Sequence, residues 1–211
     1  YFYETAKIRA LKHLWSKIIQ EYSPEHACTY NCHITAVVGH SNKSLIDPHT
    51  NLLRQSTEAM SAINAGIDGI VVLPYDLYSK KGVSELAERM ALNISTILKE
   101  ESYFDMVIDP TGGSYSVENL TNLIGEKAWA EFQKLEKNGG VLNEIAMEAL
   151  VNEIRIKREM RIESFLKGET LGIGINTFED PNGIPTDWEQ LETYVGMKPL
   201  ILESEYKKTI V

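Results

Sequence analysis

Three short, largely apolar runs, each followed by a turn and a long amphipathic segment, constrain the fold of this chain most strongly. The runs cover residues 33–38, 70–73 and 106–108. Short apolar strands joined by helical crossovers are typical of parallel sheets that are covered on both faces. The sequence therefore predicts an α/β fold, either an open doubly wound sheet or part of a closed (β/α)8 barrel. A complete barrel needs about 250 residues, so the 211 residues of this chain would form only part of one.

The segments around these runs show the periodicity of apolar residues that is typical of amphipathic helices. Asp47-Pro48 is a strong helix start, because Asp accepts from free N–H groups and Pro lacks the N–H that would stay unpaired in the first turn. The Asn-Gly-Gly run at 138–140 is a typical helix end. Residues 171–176 are predicted as a further strand, and the acidic segment 177–211 as an extended tail. The predicted helices cover residues 3–21, 47–64, 83–101, 117–137, 141–150 and 152–167.

Four cations lie on the first predicted helix, mostly away from its apolar stripe. Together they could form an anion-binding face, but a charged helix face is more often simply solvated. We therefore expect a solvent-exposed face that contains Lys7, Arg9, Lys12 and Lys17.

Composition narrows the functional classes. The formal net charge is −9, which disfavours nucleic acid and anionic membranes as partners. No apolar run approaches the length of about 18 residues that marks a transmembrane helix, and the 2 cysteines exclude a disulfide framework. We expect a reducing, cytoplasmic compartment. The chain begins at Tyr1 without a signal-peptide pattern, and we expect it to be a piece of a longer protein.

In either α/β architecture, functional groups gather at the carboxyl ends of the strands. Loops 39–46, 75–82 and 109–115 would lie there. The Gly-Gly-Ser run at 112–114 precedes a helix start, where backbone N–H groups bind phosphate, although a tight strand-to-helix turn is the favoured interpretation. The candidates for residues that face a substrate or cofactor are His33, Gly39, Asp76, Gly112, Gly113 and Ser114.

The sequence gives weaker support for two other kinds of site, a metal centre and a pair of acid–base carboxylates. One sequence cluster of potential metal ligands consists of His26, Cys28, Cys32 and His33. Its spacing is not that of a zinc site, and no second cysteine pair follows. Paired carboxylates do acid–base work, but no sequence pattern brings Asp76, Asp105 and Asp109 together. We therefore predict no metal ligands and assign no catalytic residue.

Five sequence blocks, in order, carry a resemblance to a known family. The most specific is Asp-Pro-Thr-Gly-Gly-Ser-Tyr at 109–115, followed by Val117-Glu118. A second runs from Asp-Pro-His-Thr-Asn-Leu-Leu-Arg at 47–54 to Thr-Glu-Ala-Met-Ser-Ala at 57–62. The other three blocks are 2–15, 89–102 and 128–140. Together they resemble the acyl-CoA mutase family, specifically the methylmalonyl-CoA mutases, over about residues 1–178.

The resemblance implies a (β/α)8 substrate barrel followed by a flavodoxin-like cobalamin-binding domain. In that family adenosylcobalamin supplies the radical that interconverts methylmalonyl-CoA and succinyl-CoA, while the protein orients the substrate and shields the radical. This chain would form the second half of the barrel. Its expected parts are a barrel half at 1–140, a helical extension and strand at 141–176, and an extended acidic linker or tail at 177–211.

The chain departs from catalytic members at the barrel mouth. Those members carry Arg-Thr-His-x-Gln-Thr-Ser-Gly at the first strand, where the Arg and the hydroxyl groups meet the CoA substrate. Residues 31–39 here keep only His33 and Gly39, and the spacing is shifted by one. A neutral Asn cannot replace the bidentate anion contact of the missing arginine. Leu77 stands where catalytic members have a cofactor-facing Glu, and the cobalamin motif Asp-x-His-x-x-Gly is absent from the sequence.

This chain keeps the residues that maintain the fold but has lost those that bind ligands. In this respect it resembles the non-catalytic small subunit of heterodimeric bacterial mutases. The partner that this implies is a catalytic large subunit, and the chain alone is expected to be inactive and to bind no adenosylcobalamin. A half barrel would expose parallel strand edges, so the fragment could also form a homodimer. The alternatives are a catalytic acyl-CoA mutase barrel with an altered substrate and a non-enzymatic α/β binding module.

Overall fold

The computed structural model describes residues 1–79, 81–183 and 197–210. Its strands are β1 (Thr35–Val37) and β2 (Gly69–Val71), and a short 3-10 helix covers Ala27–Tyr30. The α-helices are α1 (Phe2–Glu21), α2 (Thr50–Asn64), α3 (Glu85–Glu100), α4 (Tyr115–Lys137), α5 (Glu144–Leu166) and α6 (Leu202–Ile210). None of the helices in these ranges combines the length and apolar character that crossing a membrane requires.

The two strands pair in parallel, and α2 forms the crossover between them. Thr35 pairs with Gly69 and Val37 with Val71. Asp68 extends the pairing at the amino end, where its carboxylate accepts a hydrogen bond from the Ile34 N–H at 2.8 Å. This hydrogen bond lowers the pKa of Asp68. The predicted parallel α/β character is thus confirmed.

The chain divides into two compact units, each built from three segments. The first unit holds the sheet, α1 and α4, and the second holds the loops that follow the strands, together with α5 and α6. Helices α2 and α3 contribute residues to both. The first unit comprises Tyr1–Val37, Ser56–Val72 and Ile94–Val141, and the second comprises Val38–Gln55, Leu73–Asn93 and Leu142–Val211.

In the first unit, α1 packs against α4. Ala6 and Ala10 on α1 and Val117 on α4 are almost fully buried, and small side chains allow two helices to approach closely. Lys17 lies over the ring of Trp129, with 5.0 Å between its Nζ and the ring centroid, which is within the range of a cation–π contact. The amphipathic period of α1 therefore buries a face rich in alanine.

The core of the second unit forms around Phe165, Ile175 and Leu202. Tyr206 of α6 meets Phe165 edge to face, with 6.1 Å between the ring centroids. The Nδ2 of Asn176 donates to the Phe165 carbonyl at 2.9 Å and so closes the turn after α5. Aromatic and aliphatic burial of this kind docks the short helix α6 onto α5.

The predicted strand at 106–108 is wrong for the described residues, which are irregular there. Met106, Val107 and Ile108 are 74%, 57% and 97% exposed. An apolar run becomes a strand only when a neighbouring strand accepts and donates its backbone hydrogen bonds. No described strand lies beside this run.

Other predicted boundaries also need correction. Segment 171–176 is a turn with an isolated bridge between Ile173 and Thr177, because Gly174 takes the left-handed φ of +73°. The two helices predicted between 141 and 167 form the single helix α5. Part of the tail predicted as extended is the helix α6, while residues 184–196 lie outside the described ranges.

Candidate functional site

The loops that follow β1 and β2 meet in the second unit. The side-chain amide of Asn51 donates to the Tyr75 carbonyl at 3.0 Å, and that of Gln55 donates to the Leu73 carbonyl at 2.8 Å. Asn51 and Gln55 are 0% and 1% exposed. Because ligands of α/β proteins bind outside the carboxyl ends of parallel strands, this junction is the candidate site.

Two histidines of the first loop contact aromatic rings of the second. His40 meets Tyr78 edge to face at 5.7 Å, and His49 lies 5.2 Å from Tyr75. Burial lowers the pKa of His40, and the positive charge of Lys43 lowers it further. Both effects favour the neutral imidazole of His40, which packs against the ring of Tyr78.

The first loop surrounds a buried carboxylate that belongs to α6. Glu203 is 0% exposed, and its Oε1 accepts from the Ser44 hydroxyl at 2.6 Å. The backbone N–H of Leu45 donates to Oε2 at 2.9 Å, and that of Ile46 donates to Oε1 at 3.3 Å. Sequence analysis missed this centre because Glu203 appeared there only as one acid of a predicted tail.

Asn51 and Asp47 hold the loop in the shape that receives Glu203. The side chain of Asn51 accepts from the Ser44 N–H at 2.9 Å and donates to the Ser44 carbonyl at 2.7 Å. The Asp47 N–H donates to the Ser44 hydroxyl oxygen at 2.9 Å, and the Asp47 carboxylate accepts from Thr50. Helix α2 begins at Thr50 rather than at the predicted Asp47 because this turn precedes it.

Two of the predicted candidates, Gly39 and Asp76, lie in these loops. Gly39 is exposed, and a Cβ there would meet no atom within 4 Å. Asp76 accepts from the Ser84 hydroxyl at 2.7 Å and from the Ser84 N–H at 3.2 Å, while its Oδ1 is buried without a hydrogen-bond partner in the described structure. Since Ser84 in turn accepts from the Ala87 N–H, Asp76 braces the start of α3.

His33 lies at the amino end of β1, at the end of the strand opposite the one where functional loops gather. Its side chain is 77% exposed, and its Nδ1 is 3.9 Å from the Asp68 carboxylate. The predicted strand began at residue 33, but pairing starts at Thr35. His33 therefore belongs to the first unit, whereas the two loops belong to the second.

The Gly-Gly-Ser run at 112–114 forms a tight turn whose donors are already used. The Gly113 N–H donates to Glu118 at 3.1 Å, and the Ser114 N–H donates to the Thr111 carbonyl at 3.2 Å. Gly113 has a φ of +77°, which favours glycine. Because Glu118 accepts from the Gly113 N–H, the structure supports the favoured interpretation of this run as a tight turn.

Arg9 joins this turn to α1. Its guanidinium donates to Asp109 and, at 2.8 Å, to Glu118, and its side chain is only 11% exposed. The expected solvated face of α1 is thus wrong at this position. Hydrogen bonding from Arg9 lowers the pKa of Asp109, whereas the Gly113 N–H is the main cause of the lowered pKa of Glu118.

The Arg9–Asp109 pair predicts a pH-dependent stability. A carboxyl group whose pKa is lower in the folded state stabilises the fold above its unfolded pKa, and the contribution is lost as pH falls through the folded value. We expect the difference in unfolding free energy between wild type and Asp109→Asn to stay constant above about pH 5 and to shrink below about pH 4. Urea unfolding at pH 3–7 measures it. A difference independent of pH would contradict the assignment.

Among the described residues, Cys28 and Cys32 belong to no group of three potential metal ligands. Cys28 is exposed and Cys32 is half-buried, and both are free thiols. Across residues 1–79, 81–183 and 197–210, no three His, Cys, Asp or Glu side chains are placed to share a metal ion.

The parallel pair of strands joined by the helical crossover α2 defines a parallel α/β protein. The sequence profile of the methylmalonyl-CoA mutase family matches residues 1–198. The chain therefore belongs to the methylmalonyl-CoA mutase family, which confirms the resemblance found in the sequence.

Individual relatives agree with the family match. The chain is 39% identical over 179 residues to the methylmalonyl-CoA mutase small subunit of Porphyromonas gingivalis, covering 84% of the chain and 29% of that protein. It is 31% identical over 195 residues to the methylmalonyl-CoA mutase of Rhizobium meliloti, covering 91% and 27%. A small subunit from Streptomyces virginiae is 36% identical over 140 residues, covering 66% and 22%. The chain thus spans less than a third of the length of each of these relatives.

Proposed function

We propose that this chain is part of the non-catalytic small subunit of a methylmalonyl-CoA mutase and supports a catalytic large subunit. One observation carries the proposal. In the loops that follow β1 and β2, Ser44 is bound to Glu203 and the Oδ2 of Asp76 accepts from Ser84, so these polar contacts are made within the chain. A catalytic loop would instead present such groups to a substrate. The similarity to proteins named as small subunits supports the same conclusion.

Adenosylcobalamin, the cofactor of the family, does not fit the residues of this junction. Leu77 stands at the position of the family's cofactor-facing Glu and offers no polar group. The neighbouring Asp76 carboxylate is engaged by Ser84 at the start of α3. We infer that the cofactor, and the isomerisation of methylmalonyl-CoA to succinyl-CoA, belong to the large subunit. The two free thiols are in keeping with a cytoplasmic location for the assembly.

We also propose that residues 1–140 are one half of a (β/α)8 barrel, followed by the helical extension at 141–176 and by an acidic segment at 177–211 that contains the helix α6. The exposed apolar run at 106–108 supports this division, because its side chains have the pattern of a buried strand. Among the described residues, β1 and β2 pair only with each other, and their other edges are further places where barrel strands would pair.

Barrel closure predicts that Ile108 is buried in the full-length protein although it is 97% exposed here. We expect Ile108→Thr to lower the free energy of unfolding by about 1–1.5 kcal/mol, because the substitution places a hydroxyl in an apolar layer. Ile156→Thr, on the exposed face of α5 where Ile156 is 58% exposed, is the matched control and should change it by less than about 0.5 kcal/mol. Equal changes in the free energy of unfolding for Ile108→Thr and Ile156→Thr, measured by urea unfolding, would show that the barrel does not bury Ile108.

Complex formation tests the subunit assignment. The full-length protein is co-expressed with the methylmalonyl-CoA mutase large subunit of the same organism and analysed by size-exclusion chromatography with light scattering. We expect a 1:1 complex that survives purification. Elution of this protein as a separate monomer, or as a homodimer that excludes the large subunit, would overturn the assignment. The second outcome would favour pairing of the strand edges between two copies.

A further inference from the structure

Three hydrogen-bond donors converge on one point in the loop that follows β1. They are the hydroxyl of Ser44 and the backbone N–H groups of Leu45 and Ile46, at 2.6, 2.9 and 3.3 Å from oxygens of Glu203. Successive backbone N–H groups that point to one side form an anion-binding concavity. The buried Ser44 and Leu45, 0% and 5% exposed, wall it off from water.

The loop keeps this shape through contacts that do not involve Glu203. Asn51 fixes both backbone polar groups of Ser44, and it is itself held by the Tyr75 carbonyl. The Asp47 N–H donates to the Ser44 hydroxyl oxygen, so the hydroxyl proton is left to point at Glu203. A site whose donors are oriented before the ligand arrives binds without the cost of ordering them.

The group that fills the site comes from a distant, short helix. Glu203 is 159 residues from Ser44 in the sequence, and α6 has only 9 residues. An isolated helix of this length is marginal in water, so α6 depends on docking. Its docking contacts include the hydrogen bond from the Leu202 N–H to the Ser41 carbonyl and the packing of Tyr206 on Phe165.

We propose that residues 44–46 form a carboxylate-binding site that the chain closes with its own Glu203, and that the site takes short aliphatic monocarboxylates when that side chain is removed. The inference goes beyond the proposed subunit role and does not depend on it. Donors fixed by Asn51 and Asp47 supply the recognition, and the space that a truncated Glu203 side chain leaves, 0% exposed in the wild type, limits the ligand to small carboxylates.

The test is a chemical rescue of Glu203→Ala in the full-length protein with sodium acetate at pH 7, against sodium chloride at equal ionic strength. Acetate carries the carboxylate that the substitution removes. With millimolar affinity, we expect about 100 mM acetate to raise the Tm of this variant by about 3–5 °C relative to chloride. Wild type and Glu205→Ala, in which Glu203 still fills the site, should show no difference between the two salts.

Two further variants make the result decisive. Adding Ser44→Ala to Glu203→Ala removes one donor and should lower the acetate response at least twofold. If Glu203→Ala does not fold in chloride, its refolding yield in acetate is the readout, and recovery in acetate but not in chloride supports the site. Equal behaviour in the two salts, or an acetate response that is the same in wild type, would overturn the proposal.

Discussion

Replacing Glu203 with alanine is expected to lower the free energy of unfolding by about 3–5 kcal/mol. The substitution leaves the Ser44 hydroxyl and the N–H groups of Leu45 and Ile46 without the acceptor they now share. A buried donor without a partner loses its hydration and gains nothing in return. Urea unfolding of the full-length protein, followed by tryptophan fluorescence and far-UV circular dichroism, measures the loss.

Two variants distinguish the contribution of the Glu203 hydrogen bonds from the contribution of the helix α6 as a whole. Glu203→Gln keeps one carbonyl oxygen as an acceptor and should cost less than half as much as alanine. Glu205→Ala, on the same helix, removes a side chain that is 23% exposed and 3.9 Å from Arg158, and should cost less than about 1 kcal/mol. Equal losses at positions 203 and 205 would show that the contacts of Glu203 with the loop contribute little.

Arg9→Met is expected to lower the free energy of unfolding by about 2 kcal/mol. Methionine keeps most of the aliphatic volume of the side chain, so the loss reports on the guanidinium and its carboxylate partners Asp109 and Glu118. These carboxylates are 46% and 40% exposed, and water therefore reduces the effect below that of a fully buried pair.

Lys7→Met is the matched control for Arg9→Met on the same helix. Lys7 and its partner Glu4 are 59% and 61% exposed, so the substitution should change stability by less than about 0.5 kcal/mol. Arg9→Lys should fall between the two, because an ammonium group cannot reach both carboxylates with the geometry of a guanidinium. If Lys7→Met and Arg9→Met are equally stable, the ion pairs of Arg9 do not stabilise the fold.

Local signals in the sequence predicted much of the fold. The Asn-Gly-Gly run at 138–140 ends α4 with Gly140 in the left-handed region, as its composition indicated. The turn before α4 was likewise readable from the Gly-Gly-Ser run at 112–114, because glycine is favoured where φ is positive. Caps and tight turns depend on residues close in the sequence, and for that reason they were predictable.

The irregular conformation of residues 106–108 and the contacts of Arg9 and Glu203 were not predictable in this way. The apolar run lacks a neighbouring strand in the described residues, and no local pattern reports the presence of a neighbour. Arg9 pairs with Asp109, 100 residues away, and Glu203 with Ser44, 159 residues away. A single sequence contains no signal for pairings over such separations.

The sequence predicted which loops form the candidate site, but not which side chains within them make its contacts. Asp76 and Gly39 do lie in the loops that follow the strands, as the α/β pattern indicated. The role of a carboxylate in such a loop depends on its three-dimensional neighbours, which the sequence does not show. Asp76 accepts from the Ser84 hydroxyl and therefore stabilises the start of α3. His33 was misplaced because the predicted strand began two residues before the observed pairing.

The most direct test of the account is the isomerisation of methylmalonyl-CoA by the full-length protein purified from cells that lack the large-subunit gene. Succinyl-CoA is measured with adenosylcobalamin present, before and after the purified large subunit is added. If this chain belongs to the non-catalytic subunit, no succinyl-CoA forms above the protein-free blank before the addition, and turnover begins after it. Cobalamin-dependent formation of succinyl-CoA by this protein alone would contradict its assignment as the non-catalytic subunit.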